Sequence, residues 1–139
     1  MSTALNILDI ALAQATLAHT GQHRRDGALY ITHPIAVAAM MTSDWDKSVA
    51  LLHDVLETTT TTVEDLCTAG IPMSLLMDVE LLTKLPGMSY DEYIARVCMS
   101  PSCTRVKLAD MFHNISDQPT THQRTKYLST VQVILAHLQ

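Results

Sequence analysis

Apolar residues recur three or four positions apart along most of the chain, a spacing that collects them on one face of an α-helix. Only four glycines are present and aromatic residues make up 4% of the sequence, so a sheet-rich fold is disfavoured. The pattern therefore predicts an all-α fold of seven or more helices joined by short connections.

Helix-capping and helix-breaking residues set the predicted bounds of these helices. Thr61 with Glu64, and Ser89 with Glu92, match the capping box that opens a helix. Proline opens two further helices, and a run of threonines ends the third. The predicted helices cover about residues 3–18, 34–41, 44–58, 63–70, 72–85, 90–99, 101–116 and 121–138.

The composition is that of a globular protein. With 139 residues, of which 47% are hydrophobic and 17% charged, the chain is long enough to form one domain, residues 1–139, around its own core. The N-terminal stretch has no basic segment, and Asn6, Asp9 and Gln14 interrupt its apolar run, which argues against a signal peptide or a membrane span. We expect a cytoplasmic protein without a membrane partner.

Charge and cysteine content argue against two further classes of function. The formal net charge is -5 and no run of lysine and arginine is present, which disfavours a nucleic-acid partner. The three cysteines, Cys67, Cys98 and Cys103, are an odd number without a CxxC pair. Neither a disulfide framework nor a cysteine zinc site is therefore expected, and the thiols should be reduced.

Polar residues that are costly to bury interrupt two otherwise apolar helices. His53 and Glu57 lie four positions apart and share a face, with Asp54 about 100° away around the helix axis. Asp110 and Asn114 have the same four-residue spacing on a later helix. Imidazole and carboxylate groups together suit Mn²⁺, Fe²⁺ or Zn²⁺. With the histidine that opens the second helix, the candidate metal ligands are His33, His53, Asp54 and Asp110.

Each of these residues also has a purely structural interpretation. His33 taken alone is more often a residue at a helix start than a ligand, and a histidine followed by an aspartate is common in proteins. Asp110 could simply form an ion pair with Lys107. The combination favours a site, because buried charged groups require partners or a metal ion.

The order His, His-Asp, Asp resembles that of the HD phosphohydrolase superfamily, helical enzymes that bind a divalent metal through these four positions. The wider context is similar to the hydrolase domain of the RelA/SpoT family. Here "HTGQHRRDGALYITHPIAVA" resembles its opening motif HxGQxRxxGxxYxxHPxxVA, "ALLHDVLET" resembles ALLHDxxEDT, and "RVKLADMFHNI" resembles xVKLADxxHNx. The stretch "HQRTKYLSTVQVIL" is similar to the last helix of the stand-alone members, the metazoan SpoT homologue type.

The resemblance implies an HD-domain helical bundle that acts as a small, hydrolase-only alarmone hydrolase of the stringent response. It implies Mn²⁺-dependent removal of the 3′-pyrophosphate from guanosine tetraphosphate or pentaphosphate, (p)ppGpp, to give GDP or GTP. Another divalent ion is an alternative to manganese. A water bound to the metal would be the nucleophile, because the metal lowers its pKa.

The resemblance also implies roles for residues around the metal ligands. Glu57 would orient or deprotonate the water, and Asn114 would belong to the active site and contact the nucleotide. Arg24 and Arg25 match positions that bind the substrate, where a guanidinium can stack on a base or hold a phosphate. Lys107 is expected either to donate to a phosphate or to form a salt bridge within its own helix.

One position departs from the family pattern. The family has Glu-Asp after the HD motif, whereas this chain has Glu57-Thr58, so one carboxylate that helps to steer the water is missing. A threonine hydroxyl can orient water but does not act as a base at neutral pH. Activity is therefore expected to be lower, to depend on Glu57 alone, or to use another substrate. His19 and Tyr30 match the opening motif and are expected mainly to shape its loop.

Other functions remain open on the sequence. One is an HD phosphohydrolase that acts on another nucleotide, such as an adenine analogue of the alarmone or the 2′-phosphate of NADPH. A second is a nucleotide-binding module that has lost turnover, with Thr58 as the trace of that loss. A helical interaction protein without a metal is disfavoured by the order of the motifs. The sequence leaves the oligomeric state open.

Overall fold

Helices make up the regular structure of the part of the chain that the computed structural model describes, residues 6–116 and 119–138. They are α1 (Ile7–Ala18), α2 (Thr32–Ala39), α3 (Asp44–Leu52), α4 (Val55–Thr58), α5 (Val63–Ala69), α6 (Met73–Leu81), α7 (Tyr90–Val97), α8 (Pro101–Ile115) and α9 (Thr121–His137). The prediction of an all-α fold is confirmed. The predicted start of the first helix, at residue 3, lies outside the described residues. Among the described helices, none is both long and apolar enough to cross a membrane.

The central element of the bundle is α3. Four other helices, α1, α2, α6 and α8, pack against it. Val49, Ala50 and Leu52 have no exposed surface as a result. Because α3 is covered on several sides, its sequence contains a continuous apolar run rather than a single stripe. The last helix, α9, packs against α7 and α8 at the edge of the bundle.

Several helix ends lie where the capping residues predict them. Ser89 caps α7, with its hydroxyl accepting from the backbone N–H of Glu92 at 3.1 Å. Pro101 occupies the first turn of α8. Gly70 follows α5 with φ of 110°, a left-handed conformation that glycine adopts without steric cost.

The predicted capping box at Thr61 and Glu64 is wrong by one residue. The structure uses the next pair: the Thr62 hydroxyl accepts from the backbone N–H of Asp65 at 3.2 Å, and the Asp65 carboxylate accepts from the Thr62 N–H at 2.9 Å. The physical reason lies in the preceding turn. There the N–H of Thr61 donates to the hydroxyl of Thr59, so Thr61 belongs to the turn and the helix begins after it.

The prediction of one continuous third helix over residues 44–58 is also wrong. It is divided into α3 and α4, with His53 and Asp54 at the break. Adjacent residues of an unbroken α-helix point in different directions. The break allows both side chains to face the same site, with His53 Nε2 and Asp54 Oδ2 3.1 Å apart.

Two other bounds differ from the sequence prediction. The second helix begins at Thr32, two residues before Pro34, so His33 lies inside its first turn. The sixth helix ends at Leu81 rather than near residue 85. Its early end is stabilised by Tyr93 of α7, whose hydroxyl donates to the carbonyl of Leu82 at 2.8 Å.

Candidate metal centre

The four predicted metal ligands lie together in the interior of the bundle. One potential ligand atom from each of His33, His53, Asp54 and Asp110 lies within 4.8 Å of all the others. The Nε2 atoms of His33 and His53 are 2.8 and 3.3 Å from Asp110 Oδ1. They are 3.8 and 3.1 Å from Asp54 Oδ2. Only Asp54 is more than slightly exposed, with 19% of its side chain accessible.

Both imidazoles direct Nε2 into the cluster because their Nδ1 atoms have partners elsewhere. His53 Nδ1 lies 2.5 Å from the carbonyl oxygen of Ala50, to which it can only donate a proton. His33 Nδ1 lies 2.7 Å from Nδ1 of His113 on α8. The carbonyl contact fixes a proton on His53 Nδ1, whereas in the His33–His113 pair one Nδ1 donates and the other accepts. In both rings Nε2 is the nitrogen directed toward the cluster, where a metal would bind. The sequence reasoning missed His113, although its place three residues after Asp110 put it on the same helix face.

Both carboxylates are held by donors outside the ligand set. The Tyr30 hydroxyl donates to Asp54 Oδ2 at 2.5 Å. On α8, Lys107 Nζ donates to Asp110 Oδ2 at 3.1 Å, and Asn114 Nδ2 donates to Asp110 Oδ1 at 3.2 Å. These bonds fix the direction in which each carboxylate points.

The charged groups of the cluster shift one another's pKa values. Burial alone would lower the pKa of His53, but the carboxylates of Asp54 and Asp110 outweigh it and raise this pKa well above its usual value. Burial would raise the pKa of Asp54, but His53 and then Tyr30 lower it to about 2. Burial is likewise outweighed at Asp110, whose pKa is lowered by the Lys107 charge and by hydrogen bonds from the two histidines.

These residues fit a divalent metal ion. Two imidazole Nε2 atoms, in their unprotonated form, and two carboxylate oxygens form a donor set that suits Mn²⁺, Fe²⁺ or Zn²⁺. Each ligand is also held from behind by a hydrogen bond, as is usual for residues that bind metals in proteins. Three of the four residues are buried, and the two carboxylates carry negative charges that a bound cation would help to compensate.

A polar cavity of about 330 Å³ adjoins the cluster. Its walls include Arg24, Arg25, Tyr30, Asn114, Gln123 and Tyr127. Tyr30 and Asn114 connect the two features, because they hydrogen bond to the predicted ligands Asp54 and Asp110. Arg24 Nη2 lies 3.5 Å from Asn114 Oδ1. The structure therefore brings three predicted substrate-binding residues, Arg24, Arg25 and Asn114, to one cavity beside the predicted metal ligands.

Comparisons with known proteins place this arrangement in a family. No protein-family model matches the chain. A probable GTP pyrophosphokinase of Mycobacterium leprae is 34% identical in an alignment of length 150 that covers 96% of this chain and 19% of the relative. The bifunctional (p)ppGpp synthase/hydrolase SpoT of Escherichia coli strain K12 is 35% identical in an alignment of length 112 that covers 70% of this chain and 16% of the relative. The chain is a RelA/SpoT-type HD domain.

A solved structure shows the same fold for this HD domain. It is that of a metazoan orthologue of SpoT described as hydrolysing ppGpp, with a TM-score of 0.75 and 23% sequence identity. The similarity covers 100% of this chain and 89% of the other. By contrast, the chain spans less than a fifth of the length of the curated relatives it matches: 19% of the Mycobacterium leprae protein and 16% of Escherichia coli SpoT.

Glu57 and Thr58, the pair that departs from the family pattern, lie outside the four-residue cluster. The carboxylate of Glu57 is exposed and its Oε1 accepts from the backbone N–H of Lys84, in the α6–α7 connection, at 2.7 Å. Thr58 is also exposed, and its hydroxyl donates to the carbonyl of Asp54 at 2.8 Å. A role for either side chain in handling the water stays a prediction.

The loop before α2 is held against the end of α4 by Gln22, a residue of the opening motif. Gln22 Oε1 lies 2.9 Å from Nδ1 of the buried His19, and Gln22 Nε2 donates to the backbone carbonyl of Thr58 at 2.8 Å. The ring of His19 also packs against Tyr30, with centroids 4.8 Å apart. Burial lowers the pKa of His19. These contacts fix the position of the Arg24 loop relative to the four clustered residues.

Proposed function

We propose that this HD domain is a metal-dependent pyrophosphohydrolase that removes the 3′-pyrophosphate from (p)ppGpp, giving GDP or GTP. The observation that carries the proposal is the meeting of His33, His53, Asp54 and Asp110 next to a cavity lined by two arginines. Tyr30 and Asn114 line that cavity and hydrogen bond to Asp54 and Asp110. The names of the relatives support it, because SpoT is a (p)ppGpp synthase/hydrolase and the metazoan orthologue hydrolyses ppGpp.

We further propose Mn²⁺ as the metal and assign the four clustered residues as its ligands. When bound, a divalent ion lowers the pKa of a coordinated water and neutralises charge on the attacked phosphate. The two histidines supply Nε2, and the two aspartates supply one oxygen each toward the centre. Tyr30 and Asn114 keep these carboxylates in place, so that little reorganisation is needed during the reaction.

The remaining residues are assigned to the substrate and the water. Arg24 and Arg25 bind the anionic groups or the base of the nucleotide in the adjoining cavity, and Asn114 contacts the same ligand. Glu57 orients the attacking water through Oε2, since Oε1 is bonded to the Lys84 amide. Thr58 cannot replace a carboxylate as a base, so turnover should be limited by the water-activation step.

The decisive experiment is product analysis of the purified protein with Mn²⁺ and guanosine tetraphosphate, its adenosine counterpart or NADPH. We expect pyrophosphate and GDP from the guanosine substrate. The Asp54→Ala variant should form no product, while Asp44→Ala, which removes an exposed aspartate of α3, should match the intact protein. Turnover of another nucleotide alone would replace the substrate, and binding of guanosine tetraphosphate without products would indicate a module that has lost catalysis.

A second variant tests the departure at position 58. Thr58→Asp restores a carboxylate next to Glu57 and should raise kcat on guanosine tetraphosphate while leaving Mn²⁺ affinity unchanged. An unchanged kcat would show that water activation does not limit this enzyme.

A further inference from the structure

Lys107 is a buried cation in direct contact with a metal ligand. Its ammonium group donates to Asp110 Oδ2 at 3.1 Å, and only 14% of its side chain is exposed. The ammonium also lies over the ring of Tyr93, 5.2 Å from the centroid. Lys107 and Asp110 are three positions apart on α8, so the helix itself brings them to the same face. Of the two roles expected from the sequence, a phosphate contact or a salt bridge within the helix, the geometry favours the salt bridge.

The contacts of Asp110 divide its two oxygens between different partners. Oδ1 faces the Nε2 atoms of His33 and His53 at 2.8 and 3.3 Å. Oδ2 faces Lys107 on the other side. A carboxylate can bind a metal through one or both oxygens, but here only one oxygen is directed toward the other ligands. If a metal ion binds here, the four residues would each supply one atom, and a six-coordinate ion would keep two positions for other ligands.

The charge of Lys107 also affects the cluster. The carboxylates of Asp54 and Asp110 carry two negative charges, and the ammonium compensates one of them. Charges interact strongly in a site shielded from water, so the ammonium should stabilise Asp110 in the metal-free protein and oppose the entry of a second cation. An interaction that is stronger without the metal weakens metal binding by the same factor.

We propose that Lys107 is a positioning residue that restricts Asp110 to one-oxygen ligation and, as an internal counter-charge, lowers the affinity of the site for a divalent cation. The inference rests on the metal-dependent function proposed above. In the metal-free protein the Lys107 ammonium would then compensate part of the negative charge that the metal compensates when it binds, and so keep the four residues together.

The test uses Mn²⁺ alone, without nucleotide, and measures its affinity by isothermal titration calorimetry and by the electron paramagnetic resonance of the free ion. Lys107→Met removes the charge and the hydrogen bond, and Lys107→Gln removes the charge but keeps a donor. Lys47→Met is the matched control, because it removes one positive charge from α3 outside the four-ligand group. We expect both Lys107 variants to bind Mn²⁺ about tenfold more tightly than the intact protein, because the coupling between the ammonium and the metal is lost, and the control to be unchanged.

Thermal unfolding with a chelator gives the second readout. Lys107→Met should melt at a lower temperature than the intact protein without metal, and the difference should shrink with saturating Mn²⁺. General structural damage would lower both the melting temperature and the Mn²⁺ affinity, so tighter binding by a less stable variant distinguishes the two explanations. If Lys107→Met does not fold without metal, the polar variant Lys107→Gln carries the comparison.

Equal or weaker Mn²⁺ binding by both Lys107 variants would overturn the inference. The outcome is separate from that of the proposed function. An intact protein that leaves (p)ppGpp unchanged but shows the expected order of affinities would refute the function and support the role of Lys107. An active enzyme whose Lys107 variants bind Mn²⁺ no more tightly would support the function and refute the role of Lys107. An intact protein that binds no Mn²⁺ would refute both the Mn²⁺-dependent function and the role of Lys107.

Discussion

Metal removal should change how the stability of this protein depends on pH, because His53 holds a proton in the metal-free cluster. Burial would lower the pKa of His53, but the two neighbouring carboxylates raise it well above 6.5. The folded protein therefore binds this proton more tightly than the unfolded chain does. A raised pKa contributes stability that is fully present below the unfolded pKa and is lost as the pH rises through the folded pKa. Without metal, stability should therefore decline above about pH 6.5.

The acid side of the profile is set by Asp54. Burial opposes ionisation, but His53 and Tyr30 lower the pKa from 3.8 to about 2. A lowered carboxyl pKa contributes stability that is present above the unfolded value and is lost as the pH falls through the folded value. A pKa difference of one between the folded and unfolded states corresponds to about 1.4 kcal/mol, so Asp54 contributes on the order of 2 kcal/mol to the free energy of unfolding. This is roughly 4–8 °C in melting temperature for a domain of this size. The metal-free protein should be most stable between about pH 4 and 6.5.

A bound metal reverses the alkaline trend. Ligation requires an unprotonated Nε2, so binding releases the His53 proton and the affinity rises with pH. At a free Mn²⁺ concentration about 100 times the dissociation constant, the gain is about 2.7 kcal/mol. Because that constant falls as the pH rises, the stabilisation at a fixed Mn²⁺ concentration should be larger at pH 8 than at pH 6.

The assay is thermal unfolding, followed by circular dichroism from pH 3 to 9, with either a chelator or Mn²⁺. His53→Ala should lose both the alkaline decline and the Mn²⁺ effect. His137→Ala, which removes an exposed histidine bonded to its own helix, should retain both. The reasoning is refuted if the chelated protein is equally stable at pH 6 and pH 8.5, or if Mn²⁺ stabilises it equally at the two values.

Three further substitutions test the contacts around the site. Tyr30→Phe removes the donor to Asp54 and should weaken Mn²⁺ binding about 10- to 100-fold in calorimetry; an unchanged affinity would show that the helix break alone orients Asp54. Gln22→Glu removes the amide N–H that donates to the Thr58 carbonyl. The loss of this hydrogen bond, about 1 kcal/mol, should raise KM roughly fivefold with a smaller change in kcat. The opposite split would argue against a role in positioning the loop. Glu57→Gln should lower kcat at least tenfold without changing Mn²⁺ affinity, and an unaffected rate would assign the water to another group.

The sequence was sufficient to predict the all-α fold and to nominate four residues that the structure brings together. Helical spacing identified polar groups on apolar helices, and this depends only on neighbouring positions. The break at His53 and Asp54 was not predictable in the same way, because the apolar run before it favours a continuous helix. The register of the cap at Thr62 was ambiguous since several consecutive threonines can accept the same bond.

The groups that hold the ligands were harder to assign than the ligands themselves. Tyr30 contacts a residue 24 positions away, and His113 contacts a residue 80 positions away. No local pattern encodes such pairs, because they form only when α2 and α8 are packed on α3. Lys107 was ambiguous for a related reason: its spacing from Asp110 allowed a salt bridge, but only the packing of α7 shows that it is buried.

The position of the four ligands along the chain gives a bound ion a topological role. His33 and Asp110 are separated by 77 residues, and the loop between them contains α3 to α7. An ion at the centre would act as a cross-link that closes this loop and limits the freedom of the unfolded chain. Cleavage of the backbone in the α6–α7 connection would leave ligands on both sides of the cut. The two fragments would then be held together by the metal as well as by the core, and removing the ion would favour their separation.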